Sequence, residues 1–256
     1  MQRPIKIFKV DQLNVVIYES RGEMEYAAYK AYTQAVLNYM ETQSEIRAVF
    51  AAAHSQDEFL AALEKDKAID YSRINAFHMD EYIGLTEDAP QKFGHFLREA
   101  IFSKKPFKKV NYINSEADVP TECARYGALL REAPLDIVSL GIGENGHIAF
   151  NDPAEADFAD KAWLKEVHLD DICRQQQVND GEFSSIDEVP KTAYTATITA
   201  LMSCKCAICI VPTERKSRAV YNALNGEISE SCPASILRRH DNATLFLDGE
   251  AAKLIL

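Results

Sequence analysis

Short apolar runs rich in β-branched residues alternate along the chain with longer stretches in which apolar residues recur at helical spacing. In one of the longer stretches Phe59, Ala62 and Leu63 stand at positions i, i+3 and i+4, which places them on one face of a helix. The short runs predict strands at 14–18, 48–52, 74–79, 110–113, 136–140, 207–211 and 244–247. The longer stretches predict helices near 21–41, 56–66, 90–101, 120–132, 214–225 and 233–240.

Strands that alternate with helices are typical of a mostly parallel sheet covered by helices on both faces. We therefore predict an α/β fold in which residues 1–256 form a single domain, although two small domains would also fit this length. In such folds ligands bind at the carboxyl ends of the strands. The residues that directly follow each predicted strand are thus the first candidates for a functional site.

One polar stretch, residues 151–191, does not follow this alternation. It is rich in Asn, Asp, Gln and Pro, and it is long for a connection within a compact domain. Two interpretations remain open at this stage. The stretch is either a lid or binding loop near the site, or a surface insertion without a role in function.

Composition narrows the classes of function. The chain carries 28 Lys and Arg against 39 Asp and Glu, a formal net charge of −11. Nucleic acid is not an expected partner, because neutralising its phosphates requires a basic surface. A membrane is not expected either, since no apolar run approaches the roughly 20 residues that span a bilayer. An anionic substrate would need a local positive site to overcome the overall charge.

The N-terminal residues MQRPIKIFKVDQ lack the apolar core of a signal peptide, so we expect a cytoplasmic protein. The six cysteines are scattered along the chain, and in that compartment they are expected to be free thiols.

The first candidate motif, FHMDEY at 77–82, follows the predicted strand 74–79. It places two adjacent carboxylates, Asp80 and Glu81, at a strand end. A carboxylate in a cleft can abstract a proton from a carbon next to a carbonyl or imine. The alternative interpretation is that Asp80 caps the next helix and Glu81 is solvated.

The second candidate motif, GIGENGHIAFNDP at 141–153, satisfies the dinucleotide pattern G-x-G-x-x-G through Gly141, Gly143 and Gly146. That fingerprint should open a helix, but Asn-Asp-Pro at 151–153 interrupts the chain soon after the last glycine. We therefore reject a dinucleotide site. The glycines instead permit the backbone to approach a ligand closely.

His147 gives this loop a group that titrates near neutrality. Asn145 and Asp152 stand close enough in sequence to orient its ring or to share proton transfer with it. A single histidine is more often structural, but its place in a glycine-rich loop after a strand favours a functional role.

A third segment, TERKSR at 213–218, brings basic residues to the start of a helix after the strand 207–211. Such a segment can bind phosphate with help from backbone N–H groups, or it can be a solvated helix face. The chain has no G-x-S-x-G motif, no phosphate-binding P-loop and no zinc-ligand spacing. These patterns give no reason to expect a metal or a cofactor.

FHMDEYIGL at 77–85 together with the 141–153 motif resembles the glucosamine-6-phosphate deaminase/isomerase family. The resemblance runs from about residue 15 to residue 248 and includes 213–226 and the PASIL segment of 233–240. The related 6-phosphogluconolactonases share the glycine-His core but not the M-D-E-Y run or the H-I-A-F-N tail. The resemblance implies a Rossmann-like fold and a reaction without metal or cofactor, in which glucosamine 6-phosphate becomes fructose 6-phosphate and ammonia.

The resemblance also implies roles for single residues. Asp80 matches the base that removes the C2 proton of the opened sugar, which is then returned at C1. His147 matches the acid/base of ring opening, and Asp152 matches the acid that supports it. Lys216 and Arg174 match phosphate-binding residues.

Other matched positions complete the predicted site. Glu81 and Gly146 are expected to contact the substrate, and Asn145 is expected to take part in catalysis. Asn145 stands where the family usually has Asp, so it keeps an acceptor oxygen but has no charge to stabilise an imidazolium. Asp152 stands where the family usually has Glu, which shortens its reach by one methylene.

A larger departure concerns the family's phosphate loop, A-T-G-[SG]-T-P, which is replaced here by AAAHSQ at 51–56. The glycines that would let backbone amides surround a phosphate are missing. Ser55 remains to donate a hydroxyl to the phosphate and to cap the following helix.

Three functions follow from these patterns. The first is an amino-sugar phosphate deaminase/isomerase. The second, suggested by the 51–56 loop, is a related isomerase or lactonase acting on a different sugar or sugar phosphate. The third, suggested by Asn145 and Asp152, is a non-catalytic sugar-phosphate sensor. A homo-oligomer is left open, because the family includes monomers and larger assemblies.

Overall fold

The structure is a computed structural model that describes residues 3–256. Its strands lie close to the predicted positions, with additional strands that the pattern did not predict. They are β1 (Lys6–Val10), β2 (Leu13–Ile17), β3 (Ile46–Phe50), β4 (Ile74–His78), β5 (Asp80–Tyr82), β6 (Lys109–Asn111), β7 (Ile137–Leu140), β8 (Leu164–His168), β9 (Thr192–Ala196), β10 (Cys206–Val211) and β11 (Ala243–Leu247).

The α-helices connect these strands, and most of them begin at a side-chain cap. Ser20, Asp118, Asp170 and Thr197 each accept a hydrogen bond from an N–H of the first helical turn that follows, which stabilises the helix start. The helices are α1 (Arg21–Met40), α2 (Asp57–Lys65), α3 (Phe93–Leu97), α4 (Val119–Arg131), α5 (Asp171–Asn179), α6 (Ile198–Met202) and α7 (Ser217–Asn225). The segment Pro233–Arg239, predicted as helical, is a 3₁₀ helix.

Eight of the strands form the main sheet, in the order β1-β2-β11-β10-β7-β3-β4-β6. Every neighbouring pair is parallel except β1 and β2, which form an antiparallel hairpin at one edge. The chain leaves β3 toward β4 and β6, and it returns on the other side of β3 through β7, β10 and β11. The carboxyl ends of β3 and β7 are therefore the point where the winding direction reverses, and ligands bind there in open α/β sheets.

Apolar residues cover both faces of this sheet, because successive side chains of a buried parallel strand point to opposite sides. Val49 packs in the cluster that includes Tyr126 of α4 and Val220 of α7. Its neighbour Phe50 packs in the opposite cluster, against Tyr32 of α1 at a ring-centroid distance of 5.9 Å. The predicted fold class, a mostly parallel sheet with helices on both faces, is confirmed.

A second sheet consists of three antiparallel strands in the order β5-β9-β8, and one of them, β8, lies within the polar stretch 151–191. Residues 151–191 are not one irregular loop, since they contain β8, α5 and a 3₁₀ turn at Ile186–Glu188. The register pairs Asp80 of β5 with Thr195 of β9. The small sheet therefore fixes the backbone of one predicted catalytic residue. Among residues 3–256, no helix is both long and apolar enough to cross a membrane.

Candidate active site

A cleft of about 260 Å³ opens at the carboxyl ends of β3 and β7. The loop after β3 lines it with 51–55, and the loop after β7 lines it with Gly141, Gly143 and His147. Asp80 comes from β5, and Lys216 comes from the segment after β10. Four of the predicted site residues, Ser55, Asp80, His147 and Lys216, thus meet at the place that the sheet topology favours.

Asp80 and Glu81 are adjacent carboxylates with different surroundings. The Glu81 carboxylate is fully buried and accepts hydrogen bonds from the backbone N–H groups of Tyr82, Phe93 and Gly94 at 2.9–3.1 Å. The Asp80 carboxylate lines the cleft and accepts no hydrogen bond from the described part of the chain. Burial, and then the charge of Glu81, raise the pKa of Asp80 well above its usual range.

Glu81 does not line the cleft, and its oxygens hold the start of α3 instead. Its contact with substrate stays a prediction. Burial raises its pKa to about 7, although the three N–H donors oppose that shift. The alternative interpretation that Asp80 caps the next helix is wrong, because Glu81 occupies that position.

His78 holds the backbone of Asp80 in place. Its Nδ1 lies 2.9 Å from the carbonyl oxygen of Asp80, and its Nε2 accepts the N–H of Ile113 at 2.9 Å. Burial lowers the pKa of His78 to about 4, so the ring is neutral at pH 7 and Nδ1 carries the donor proton. His78 is therefore a structural residue whose two nitrogens are both satisfied.

The glycine-rich loop presents His147 to the cleft. The ring lies directly over Gly143, where an added Cβ would come within 2.2 Å of Cε1 and Nε2. Gly146 has a φ of +90°, a conformation that glycine adopts readily, and its N–H donates to the Gly143 carbonyl at 3.0 Å. No helix begins between 141 and 153, which agrees with the rejection of a dinucleotide fingerprint. Gly146 shapes this turn and does not line the cleft, so its substrate contact stays a prediction.

A buried polar group lies behind His147. Nδ1 of the ring is 2.9 Å from Oδ1 of Asp152, which is fully buried. The contact is close but off the line of a hydrogen bond, so it is mainly electrostatic. The Asn145 amide donates to Asp152 at 3.0 Å and to Asp170 at 2.9 Å, while its oxygen accepts the N–H of His147.

Burial raises the pKa of Asp152, but the contacts with His147 and Asn145 outweigh this, and the pKa is lowered overall. Asp152 is therefore a carboxylate at neutral pH. Asn145 and Asp152 do not line the cleft and act on His147 from behind, as expected for residues that orient the ring.

Asn151 connects the loop that contains His147 to β9, the strand that pairs with Asp80. Its side-chain amide donates to the carbonyls of Ile148 and Ala196, both at 2.9 Å, and lies 3.2 Å from the Thr195 hydroxyl. Because Thr195 is the register partner of Asp80, these bonds connect the two catalytic candidates through β9. Sequence reasoning did not identify this role of Asn151.

The segment after β10 brings cations to the cleft. Lys216 points its ammonium into it without an ion pair to any described carboxylate, and burial lowers its pKa. Arg215, which belongs to the predicted basic run, also lines the cleft and lies 3.7 Å from Asp180 and 3.9 Å from Glu144. Cationic side chains thus reach the cleft although the overall charge of the chain is negative.

Thr213 turns the chain into this segment with a φ of +79° and a ψ of +146°, a conformation that glycine adopts far more readily. Both oxygens of the Asp248 carboxylate accept a hydrogen bond from the Thr213 N–H, at 3.1 and 3.2 Å. The Thr213 carbonyl in turn accepts the N–H of Lys216 at 3.1 Å. A strained residue therefore positions the lysine.

The loop at 51–56 lines the cleft without the glycines of the family pattern. Ala53 is extended, and a single 3₁₀ turn at His54–Gln56 leads into α2, so no residue of the loop needs a positive φ. The Ser55 hydroxyl lies beside Gly141 in the wall of the cleft, 3.3 Å from the position that a Cβ on Gly141 would take. His54 is held by Asp57 and by Glu182, each at 3.0 Å.

Arg174 does not line the cleft, and its contact with phosphate stays a prediction. Its guanidinium donates to the carbonyls of Ile186 at 2.5 Å and Val189 at 3.2 Å, and it pairs with Asp171. The same helix, α5, presents Gln176 and Gln177 to the cleft instead.

Arg21, at the start of α1, lines the cleft and was not predicted. Its Nε lies 2.6 Å from the buried Glu25, and its guanidinium reaches the carbonyl of His54. A single arginine at a helix start gives no sequence signal, because its approach to the cleft depends on how α1 packs on the sheet.

Comparison with known proteins identifies a family that covers most of the chain. A family described as glucosamine-6-phosphate isomerases/6-phosphogluconolactonase matches residues 19–246. A glucosamine-6-phosphate deaminase of Listeria innocua is 36% identical over 215 residues, which cover 84% of this chain and 90% of that protein. One of Bacillus cytotoxicus is 33% identical over 244 residues, which cover 94% of this chain and 89% of that protein.

Solved structures show the same relationship. A monomeric glucosamine-6-phosphate deaminase superposes with a TM-score of 0.85 at 29% identity, covering 94% of this chain and 99% of that one. A 6-phosphogluconolactonase of Thermotoga maritima superposes with a TM-score of 0.75, covering 92% of this chain and 99% of that one. At 18% identity the second similarity shows the fold alone.

Proposed function

Because the chain belongs to the family of glucosamine-6-phosphate isomerases and 6-phosphogluconolactonases, we propose that it converts glucosamine 6-phosphate and water into fructose 6-phosphate and ammonia. The observation that carries the proposal is the content of one cleft. It holds a carboxylate without hydrogen-bond donors, an imidazole backed by a buried carboxylate, and an ammonium without a counter-ion, from Asp80, His147 and Lys216.

Ring opening is assigned to His147. Because Nδ1 faces Asp152, Nε2 is the nitrogen left for the sugar. It takes the proton of the anomeric hydroxyl and delivers a proton to the ring oxygen as the C1–O5 bond breaks, which leaves an aldehyde at C1. The buried Asp152 carboxylate stabilises the imidazolium that forms during this exchange. Asn145 holds Asp152 and the His147 backbone in place by hydrogen-bonding to both of them.

Isomerisation is assigned to Asp80. Its carboxylate takes the proton from C2, and the electron pair forms a C1=C2 double bond while the aldehyde oxygen is protonated. Returning the proton to C1 leaves an imine at C2. Water then adds to C2 and the C–N bond breaks, so that fructose 6-phosphate and ammonia leave the site. The raised pKa of Asp80 suits this task, since it makes the carboxylate a stronger base.

Phosphate binding is assigned to Lys216 and Ser55, with Arg215 beside them. The chain has no glycine-rich phosphate loop at 51–56, so side chains rather than loop amides supply most of the donors. A charge-assisted hydrogen bond is worth about 1.5–3 kcal/mol, which makes the unpaired ammonium of Lys216 the largest expected contribution.

A substrate panel tests the proposal. The purified protein is incubated with glucosamine 6-phosphate, glucosamine, glucose 6-phosphate and 6-phosphogluconolactone, and ammonia release and lactone hydrolysis are measured. We expect ammonia from glucosamine 6-phosphate, much less from glucosamine, and no lactone hydrolysis above the uncatalysed rate. Lactone hydrolysis without ammonia release would favour the related lactonase reaction. Sugar-phosphate binding without any turnover would favour a sensor.

A further inference from the structure

Three donor atoms from two separate segments of the chain lie close together on the buried side of the His147 ring. Nδ1 of His147, a carboxylate oxygen of Asp152 and Sγ of Cys173 all lie within 4.8 Å of one another. All three residues are buried, with exposures of 8%, 0% and 0%. No sequence spacing suggests this group, because Cys173 belongs to α5 whereas the other two belong to the glycine-rich loop. The fold alone brings them together.

One atom of the group is unsatisfied. His147 Nδ1 is buried and has no hydrogen-bond partner within residues 3–256, although Oδ1 of Asp152 is only 2.9 Å away. A buried nitrogen that lies beside a carboxylate and a thiol, without a hydrogen bond to either, lacks a partner for its lone pair or proton. A cation placed among the three atoms would satisfy it.

We propose that His147, Asp152 and Cys173 form a binding site for a thiophilic divalent cation of the zinc type, and that occupation of this site inhibits the enzyme. One nitrogen, one oxygen and one sulfur donor are the ligand types that zinc takes, and three protein ligands leave a fourth position open. Calcium and magnesium are disfavoured, since they prefer oxygen donors.

Zinc binding requires the group to contract. In tetrahedral geometry, zinc bonds of about 2.1 Å to nitrogen or oxygen and about 2.3 Å to sulfur put two ligand atoms about 3.4–3.6 Å apart. The three atoms lie within 4.8 Å of one another, so the widest separation must close by up to about 1.2 Å. The close pair of Nδ1 and Oδ1, 2.9 Å apart, must open by about 0.5 Å to admit the ion.

Charge favours the cation as well. Asp170 lies next to the group: its carboxylate accepts the N–H of Cys173 at 2.6 Å, and it shares the Asn145 amide with Asp152. Burial raises the pKa of the Cys173 thiol, so binding releases one proton from sulfur to solvent as the metal–thiolate bond forms. The bound ion then neutralises a thiolate and a carboxylate.

Inhibition follows from the position of the ion. A metal on Nδ1 would replace the electrostatic contact with Asp152 that supports the imidazolium during ring opening, and it would fix the ring. This consequence rests on the proposed function, whereas metal binding itself does not. A binding measurement and an activity measurement can therefore fail separately.

Cobalt(II) provides the binding test, because it occupies zinc sites and shows a thiolate charge-transfer absorption when it is bound to sulfur. The full-length wild-type protein is titrated with cobalt(II) and the absorption is followed. We expect the band to saturate at one equivalent and to disappear in Cys173→Ala. Cys204→Ala is the matched control, because Cys204 is also buried and lies 3.5 Å from Nε2 of His240. We expect that variant to keep the band.

Activity provides the second test. Zinc should inhibit ammonia release, a chelator should restore it, and Cys173→Ala should weaken inhibition by roughly tenfold or more, since a direct ligand is lost. Cys173→Ser keeps the size of the side chain and replaces the alanine variant if that one does not fold. Cobalt binding to the wild type without a thiolate band, or a band that survives in both Cys173 variants, would overturn the proposal. A band without zinc inhibition would retain the site and overturn only its effect on the reaction.

Discussion

Asp80→Asn is expected to lower activity and raise stability at the same time. The substitution keeps the shape of the side chain but removes its ability to accept a proton. A positioned general base contributes about 10²–10⁴ to the rate, so we expect kcat to fall by that factor. Binding of the sugar phosphate should change little, since the phosphate ligands are elsewhere.

The gain in stability follows from the surroundings of the carboxylate. Asp80 is 7% exposed and has no donor among the described residues, so folding raises its pKa. A group whose pKa is raised on folding contributes stability below its unfolded pKa of about 3.9, and this is lost as the pH rises through the folded value. Each unit of that rise corresponds to about 1.4 kcal/mol at higher pH. The amide has no such dependence.

We therefore expect Asp80→Asn to unfold at least about 2–4 °C above the wild type at pH 8, with the difference shrinking toward pH 4. Thermal unfolding is measured across this pH range and compared with ammonia release. The control is Glu81→Gln, which should be less stable than the wild type, because its carboxylate serves three backbone donors. Activity of Asp80→Asn within tenfold of the wild type would refute the base assignment. Lower stability of that variant at pH 8 would refute the desolvation argument.

Three further substitutions test other parts of the site. In steady-state kinetics, Lys216→Met should raise KM for glucosamine 6-phosphate by about 10–100-fold and leave the weak turnover of unphosphorylated glucosamine unchanged. An equal loss of activity with both sugars would contradict a role of Lys216 in phosphate binding. Gly143→Ala places a Cβ 2.2 Å from the His147 ring, so kcat/KM should fall by about 10²-fold with the fold retained. The control Gly22→Ala, whose Cβ meets nothing within 4 Å, should remain fully active. Full activity of Gly143→Ala would show that the position of the ring is not critical. Thr213→Gly relieves a strained conformation and should stabilise the protein against urea by about 1 kcal/mol, whereas a loss of stability would mean that the φ of +79° carries no strain.

The sequence predicted seven of the eight strands of the main sheet, because these strands contain short apolar runs; the exposed edge strand β1 was not predicted. The predicted strand 14–18 and the observed Leu13–Ile17 differ by a single residue at each end. The three strands of the small sheet were not predicted: β8 lies in the polar stretch 151–191, and β9 follows directly after that stretch. Pairing between β5 and β9, a contact across more than a hundred residues, leaves no local pattern in either strand.

The site was predicted where chemistry follows from a strand end, and it was missed where it depends on packing. Asp80, His147 and Lys216 follow strands, so the topology rule located them. Arg174 is adjacent to residues of the cleft, but the helical rotation of α5 turns it toward the carbonyls of Ile186 and Val189. The buried position of Glu81 could not be predicted, because its backbone partners are formed by a helix start twelve residues later.

The most direct test of the proposed reaction is the simultaneous measurement of ammonia and fructose 6-phosphate from glucosamine 6-phosphate, in the wild type and in Asp80→Asn. We expect the two products in equal amounts from the wild type, and a loss of both by about 10²–10⁴ in the variant. Ammonia without fructose 6-phosphate, or equal activity in the two proteins, would contradict the assignment of this cleft to an isomerising deamination.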